Sequence, residues 1–202
     1  MCCLFGVVDR NGLFSGKERS QILSVLSTEC EARGTDATGI CYNSGGRMKV
    51  YKRPLAAHLM RFKVANDARV IMGHTRMTTQ GSEKRNWNNH PFLGRVGNLQ
   101  VALAHNGVLY NDKSLRRSMK LPDTHIETDS YIALQILEKK GTLDFDSLKE
   151  MAEKVEGSFV FTLLDIRLYP FDTLEKFPTR VGFQVLGCPI LISDPFGRKD
   201  AP

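Results

Sequence analysis

The sequence has no apolar run long enough to cross a bilayer, so no membrane-spanning helix and no membrane partner are expected. Its N-terminus lacks a basic stretch leading into an apolar one, which excludes an ordinary secretory signal; the expected compartment is the cytoplasm. Cysteine is sparse and odd in number, with 5 residues at Cys2, Cys3, Cys30, Cys41 and Cys188 and no C-x-x-C spacing. That pattern argues against a disulfide framework or a structural zinc site, and Cys30 and Cys41 read as ordinary buried thiols. Neither G-x-G-x-x-G nor a Walker-type phosphate loop occurs, so nothing points to a bound nucleotide. The net charge of +6 is scattered, without a long basic run or an RNA-binding aromatic signature. It reads as a solvated basic surface, and nucleic acid is not an expected partner.

What is present is enough apolar residue, 42%, to build a core in a chain of 202 residues, which suits one domain or one domain with a tail. Cys2 to Asp9 reads as a short buried strand closed by an Asn11-Gly12 turn. Residues 17–33 read as a helix stopped by Gly34. Ala37 to Tyr42 and Met48 to Lys52 read as a hairpin around Asn43-Ser44-Gly45-Gly46. Pro54 is expected to open a short helix through Leu55, Leu59 and Met60. Arg69 to His74 and Leu99 to His105 read as strands, with a long polar loop over 76–89 between them. Helices are expected over 129–140 and 146–155, and Phe159 to Leu164 is an apolar strand. Hairpins with helices grouped between them favour an α+β fold with antiparallel sheets.

Several residues carry chemistry. Aminopeptidases remove an initiator Met when a small residue follows, and Cys is small. Cys2 would then hold a thiol nucleophile and a free α-amine able to act as its base, or it is simply a small apolar residue in the first strand. Arg76, at a strand end, has the planar fork that grips a carboxylate, or it serves a surface ion pair. Thr78 and Thr79 follow it with further hydroxyls. The Asn106 amide and the Gly107 N–H suit an oxyanion hole, or the dipeptide is a hairpin turn. Thr128 or Asp129 caps a helix, or Asp129 receives a substrate ammonium group. A nucleophile, a carboxylate anchor, an oxyanion pair and an ammonium anchor together fit an α-amino acid with an amide side chain, which is glutamine.

Cys2, Arg33-Gly34-x-Asp36-x-x-Gly39, Gly73-His74-Thr75-Arg76, His90-Pro91, Ala104-His105-Asn106-Gly107 and Glu127-Thr128-Asp129 resemble, in order, the motifs of class II glutamine amidotransferase domains. The resemblance covers residues 2–165 and leaves 166–202 as a C-terminal tail unmatched to the family. It implies the four-layer αββα sandwich of N-terminal-nucleophile hydrolases and hydrolysis of L-glutamine to L-glutamate and ammonia, with no metal or organic cofactor. By the same resemblance Cys2 is the nucleophile, Asn106 and Gly107 form the oxyanion hole, and Arg76, Thr79 and Asp129 bind glutamine. Arg33, Gly34, His74 and Thr78 support the site, and 77–85 forms a lid. A separate ammonia-accepting synthase subunit is a partner this reading admits.

The chain departs from the family in three places. Met77 and Gln80 replace the Trp and His of glucosamine-6-phosphate synthase. Cys3 stands where many members have Gly, and strand alternation turns it to the face opposite Cys2. Pro170, Pro178, Pro189 and Pro195 punctuate the tail, where 181–186 and 190–193 retain strand-like composition. Two other readings stay open: a non-catalytic domain of the same fold, and an N-terminal-nucleophile hydrolase for a different amide.

Overall fold

The computed structural model describes residues 2–9 and 11–166, and the strand backbones at Gln184–Val185 and Pro189–Asp194. Met1, whose removal is expected, and most of the tail lie outside the described residues. Strand β1 (Cys3–Val8) alternates its side chains between two environments. Leu4 and Val8 enter one apolar cluster and Phe5 and Val7 another, as the two-residue period of a strand requires. A buried Asp9 comes next, accepting bonds from the N–H groups of Leu13 (2.8 Å) and Phe14 (3.1 Å) and pairing with buried Arg19 at 2.6 Å. Helix α1 (Gly16–Glu29) starts at Ser15, whose hydroxyl accepts from the Glu18 N–H while the Glu18 carboxylate accepts from the Ser15 N–H. This reciprocal cap satisfies two otherwise orphaned donors.

The expected helix over 17–33 changes character at its end, where Cys30–Arg33 tightens into a 3₁₀ turn. Strands β2 (Ala37–Ser44) and β3 (Arg47–Arg53) form the expected hairpin, with positive φ at Gly45 and Gly46. The helix expected at Pro54 is reduced to a 3₁₀ turn over Ala57–Leu59, because β3 runs extended to Arg53. Strand β4 (Val70–Arg76) reaches two residues further than expected. Strand β5 (Phe92–Val96) and helix α2 (Asp112–Ser118) have no counterpart among the elements expected from the sequence. Strand β6 (Leu99–Leu109) is continuous through Asn106 and Gly107, so that dipeptide is not a hairpin turn. Helices α3 (Tyr131–Lys140) and α4 (Phe145–Lys154) precede strand β7 (Gly157–Asp165). Strands β8 (Gln184–Val185) and β9 (Pro189–Asp194) complete the described chain.

The strands form two antiparallel sheets, β1-β4-β2-β3 and β5-β6-β7-β9-β8. Three apolar clusters separate four layers. Leu23 of α1 packs on Ile40 and Ile71 of the first sheet. Met72 and Cys41 of the first sheet meet Ala102, Ala104 and Leu164 of the second. Phe92, Leu103, Phe161 and Leu163 of the second sheet pack under Leu134, Leu137 and Leu148 of α3 and α4. Each such fully buried side chain contributes about 1.5–3 kcal/mol of transfer free energy. The order of layers is the αββα sandwich. The middle cluster positions the candidate site, since its small Ala102 and Ala104 let the two sheets come close and their inward side chains share one space.

Candidate active site

Strand parity brings the candidate residues together. On β4, Met72 faces the space between the sheets, so His74 and Arg76, two and four residues on, face it too. On β6, Ala102 and Ala104 face inward, and Asn106 continues in the same register. On β1, Leu4 and Val8 face inward, and Cys2 lies one step beyond on that side. Cys2, Arg76 and Asn106 therefore converge at one end of the intersheet space. Cys3 points the other way, where its sulfur meets that of Cys30.

The Cys2 thiol donates to the Met77 carbonyl at 3.6 Å, and the Arg33 Nε donates to the Cys2 carbonyl at 2.9 Å. Burial pushes this thiol up; a hydrogen bond from the Met77 backbone and the nearby Arg76 guanidinium pull it down, and Asp129 pushes it up again. The three side chains are within electrostatic reach of one another. Gly34, next to Arg33, is needed for close approach: a Cβ there would collide with the Arg76 carbonyl carbon and lie 2.6 Å from the Met77 nitrogen.

Arg76 is buried and densely bonded. It donates to the Asn89 side-chain oxygen at 2.6 Å and to the carbonyls of Gln80 (2.6 Å) and Gly81 (3.1 Å). The first residues of the 77–89 loop are thus tied to the residue proposed to hold a carboxylate. The Asp36 carboxylate accepts from the Thr78 N–H at 2.6 Å, and the Asp36 N–H donates to the Arg76 carbonyl at 3.0 Å. Thr79 is exposed on this loop.

Asp129 is buried, and burial pushes its carboxyl up despite the bonds it accepts. One oxygen accepts from the Leu109 N–H at 2.7 Å, and the other accepts from the Ser130 hydroxyl at 3.4 Å. Neither Thr128 nor Asp129 caps α3; Ser130 is its N-cap, without a side-chain cap bond. The Thr128 hydroxyl instead donates to the Asn88 carbonyl at 2.8 Å. Gly107 has φ +147, a conformation side chains avoid, and a Cβ there would collide with the Ser158 carbonyl oxygen.

The motif reading passed over the residues that join these parts. Asn88 is fully buried, donating to the Ser82 carbonyl (3.1 Å) and the Glu127 carboxylate (2.8 Å) and accepting from the Glu127 N–H (2.9 Å). It links the loop to the segment carrying Asp129. The Lys52 ammonium donates to the carbonyls of Asn89 (2.5 Å) and Pro91 (3.0 Å), and burial brings its pKa down to about 8. Paired asparagines and a strand lysine were the only sequence signals for these roles. Behind them, buried His74 bonds through Nε2 to the His105 carbonyl at 2.9 Å, and its ring lies 4.2 Å from that of His90. Burial lowers His74 to about 3 and His105 to about 4, so this cluster is neutral near pH ~7.

Residues 74–170 match the family model for the glutamine amidotransferase domain. That stretch, a little under half of the chain, is a glutamine amidotransferase domain. The chain is 28% identical over 159 residues to a glutamine–fructose-6-phosphate aminotransferase of Caldanaerobacter subterraneus, covering 76% of this chain and 26% of that protein. It is 27% identical over 161 residues to an amidophosphoribosyltransferase of Staphylococcus aureus, covering 76% of this chain and 32% of that one. The chain therefore spans about a quarter to a third of the length of these curated relatives. Among solved structures, the glutamine phosphoribosylpyrophosphate amidotransferase of B. subtilis superposes with a TM-score of 0.64 at 21% identity, covering 83% of this chain and 36% of that chain. The amidotransferase domain is of class II, the N-terminal-nucleophile type, and its α+β fold is the one these structures share. No helix among the described residues is long and apolar enough to cross a membrane.

Proposed function

We propose that this amidotransferase domain hydrolyses L-glutamine to L-glutamate and ammonia. Once Met1 is removed, the α-amine of Cys2 takes the thiol proton and the sulfur attacks the side-chain amide carbon. The carbonyl oxygen becomes an oxyanion held by the Asn106 amide and the Gly107 N–H. The proton passes to the amide nitrogen, ammonia leaves, and a γ-glutamyl thioester remains on Cys2. Water then attacks the thioester, its proton returning through the amine to the thiol. Arg76 holds the α-carboxylate and Asp129 the α-ammonium. Arg33, Gly34, His74 and Thr78 keep these groups in place, and Thr79 closes on the substrate with the 77–85 loop. The ammonia is released in the cytoplasm, where an acceptor synthase, with a separate subunit as one form of it, can take it up.

The observation that carries this reading is placement: the β1–β4 register sets Cys2 beside buried Arg76, with the buried Asp129 carboxylate within electrostatic reach of the same thiol. Opposite charges flanking a thiol suit a free amino acid and no simpler amide. The test is ammonia release from glutamine by the purified chain, with intact mass to establish that Met1 is gone. Cys2→Ala is expected to abolish release, by at least about 10³-fold, while leaving thermal unfolding unchanged. Release that persists in Cys2→Ala, or that Cys3→Ala alone removes, would sink the assignment.

A further inference from the structure

The composition led to an expectation of unremarkable separate thiols, yet the Cys3 and Cys30 sulfurs stand 2.7 Å apart. We propose that Cys3 and Cys30 are a modification site: a thiol pair that closes reversibly to a disulfide by exchange with a low-molecular-weight disulfide. Their approach is set by the backbone rather than by long side chains. Cys3 is paired across the sheet with Thr75, and the Thr75 hydroxyl donates to the Cys30 carbonyl at 3.1 Å. The two cysteines thus share one frame built from β1, β4 and the 30–33 turn. Both are only partly buried, so a small reagent reaches them, whereas Cys41 is fully buried. Cys2 faces the intersheet space and does not compete for either sulfur.

The chemistry balances with the reagent alone. The Cys3 sulfur attacks one sulfur of the reagent, its proton passing to the expelled thiolate, and a mixed disulfide remains. Burial and the adjacent Cys3 push the Cys30 thiol up to about 12, so Cys30 enters second. Its sulfur attacks that of Cys3, its proton goes to the departing thiolate, and two reduced thiols are released for one disulfide formed. The product ties the nucleophile-bearing strand to the turn whose Arg33 donates to the Cys2 carbonyl.

The experiment incubates the full chain with oxidised glutathione and maps peptides under non-reducing, alkylating conditions. The expected result is a link between the Cys3 and Cys30 peptides, a protein lighter by two hydrogens, and full reversal by dithiothreitol. The closed loop is expected to raise Tm by roughly 5–10 °C. Cys30→Ala removes link and shift together, and Cys41→Ala keeps both. Recovery of Cys3 and Cys30 both alkylated or both glutathionylated overturns the proposal, as does a link from either to any other cysteine. Should Cys30→Ala fail to fold, the peptide map of the unaltered chain decides alone. None of these readouts uses glutamine, so they stand or fall apart from the hydrolytic assignment.

Discussion

The two sides of the site are built differently. On the anchor side, Arg76 reaches three acceptors in the loop beyond it, and Asn88, Asn89, Glu127 and Lys52 bind that loop to β3 of the first sheet and to the segment that precedes α3. On the nucleophile side, Cys2 sits at the very start of an edge strand, steadied by the Arg33 side chain and by a long thiol contact to Met77. The difference reflects what each side must do. A charge-recognising group gains selectivity from being fixed before the ligand arrives. A nucleophile must approach carbon, release a product and be regenerated, and it needs room to do so.

Among changes that leave the nucleophile in place, the largest effect should come from cutting the anchor side at its centre. Arg76→Ala should weaken glutamine binding by about 2–5 kcal/mol, read as a KM rise of roughly 30-fold or more, with a smaller loss in kcat. An unchanged KM would show that the bonded side is scaffold and not anchor. Acid tests the same side through its neutral histidines. His74 and His105 are held at about 3 and about 4, and His90 well below its ordinary value, chiefly by burial. The unfolded chain takes up those protons near pH ~6.5, so their stabilisation is complete above that pH and drains away as pH falls towards the folded values. We expect a loss of roughly 2–5 kcal/mol between about pH 7 and pH 5, measured from denaturation midpoints. A flat profile would mean the cluster is hydrated and the anchor side softer than its bonding suggests.

Gly34→Ala presses the two sides apart where they touch, since the new methyl meets Arg76 backbone on one side of the contact. It should cost about 1–3 kcal/mol of stability and lower kcat more than it raises KM. If only KM moved, the contact would serve the anchors alone. The smallest change should come from Arg85→Ala, which breaks a surface ion pair to Glu127 at 2.6 Å between side chains that are 56% and 43% exposed. Less than about 1 kcal/mol is expected, visible as slightly faster proteolysis of the loop. A larger loss would extend the rigid side out to the surface.

Much of this was legible in the residues. The alternation Cys2, Leu4 against Cys3, Phe5 comes from the strand period. The order of motifs from Cys2 to Asp129 pointed to the family. Other features were not local. Asn106-Gly107 fits a turn as well as a strand, and only pairing with Val160 and Phe159 of β7 decides between them. Asp129 looks like a cap until the Leu109 N–H, 20 residues away, claims its carboxylate. Strand β5 is short, starts after Pro91 and contains Gly94, so its pattern is weak until β6 pairs with it. Lys52 and Asn88 join segments 37 to 40 residues apart, and no window of sequence contains both ends of such a bond.

Strand β7 has consequences for where this domain can be divided. It runs between β6 and β9, so its outer row of peptide groups is matched by chain from Pro189–Asp194, past residue 170 where the family model's match ends. The stretch matched by the family model and the stretch that completes the second sheet therefore do not coincide. A chain ending near Ile166 would keep every proposed catalytic group and yet present a bare apolar strand margin, Phe159 to Leu164, as a template for any extended peptide nearby. What reads as a dispensable tail is, mechanically, the selvage that stops the second sheet from unravelling into its neighbours.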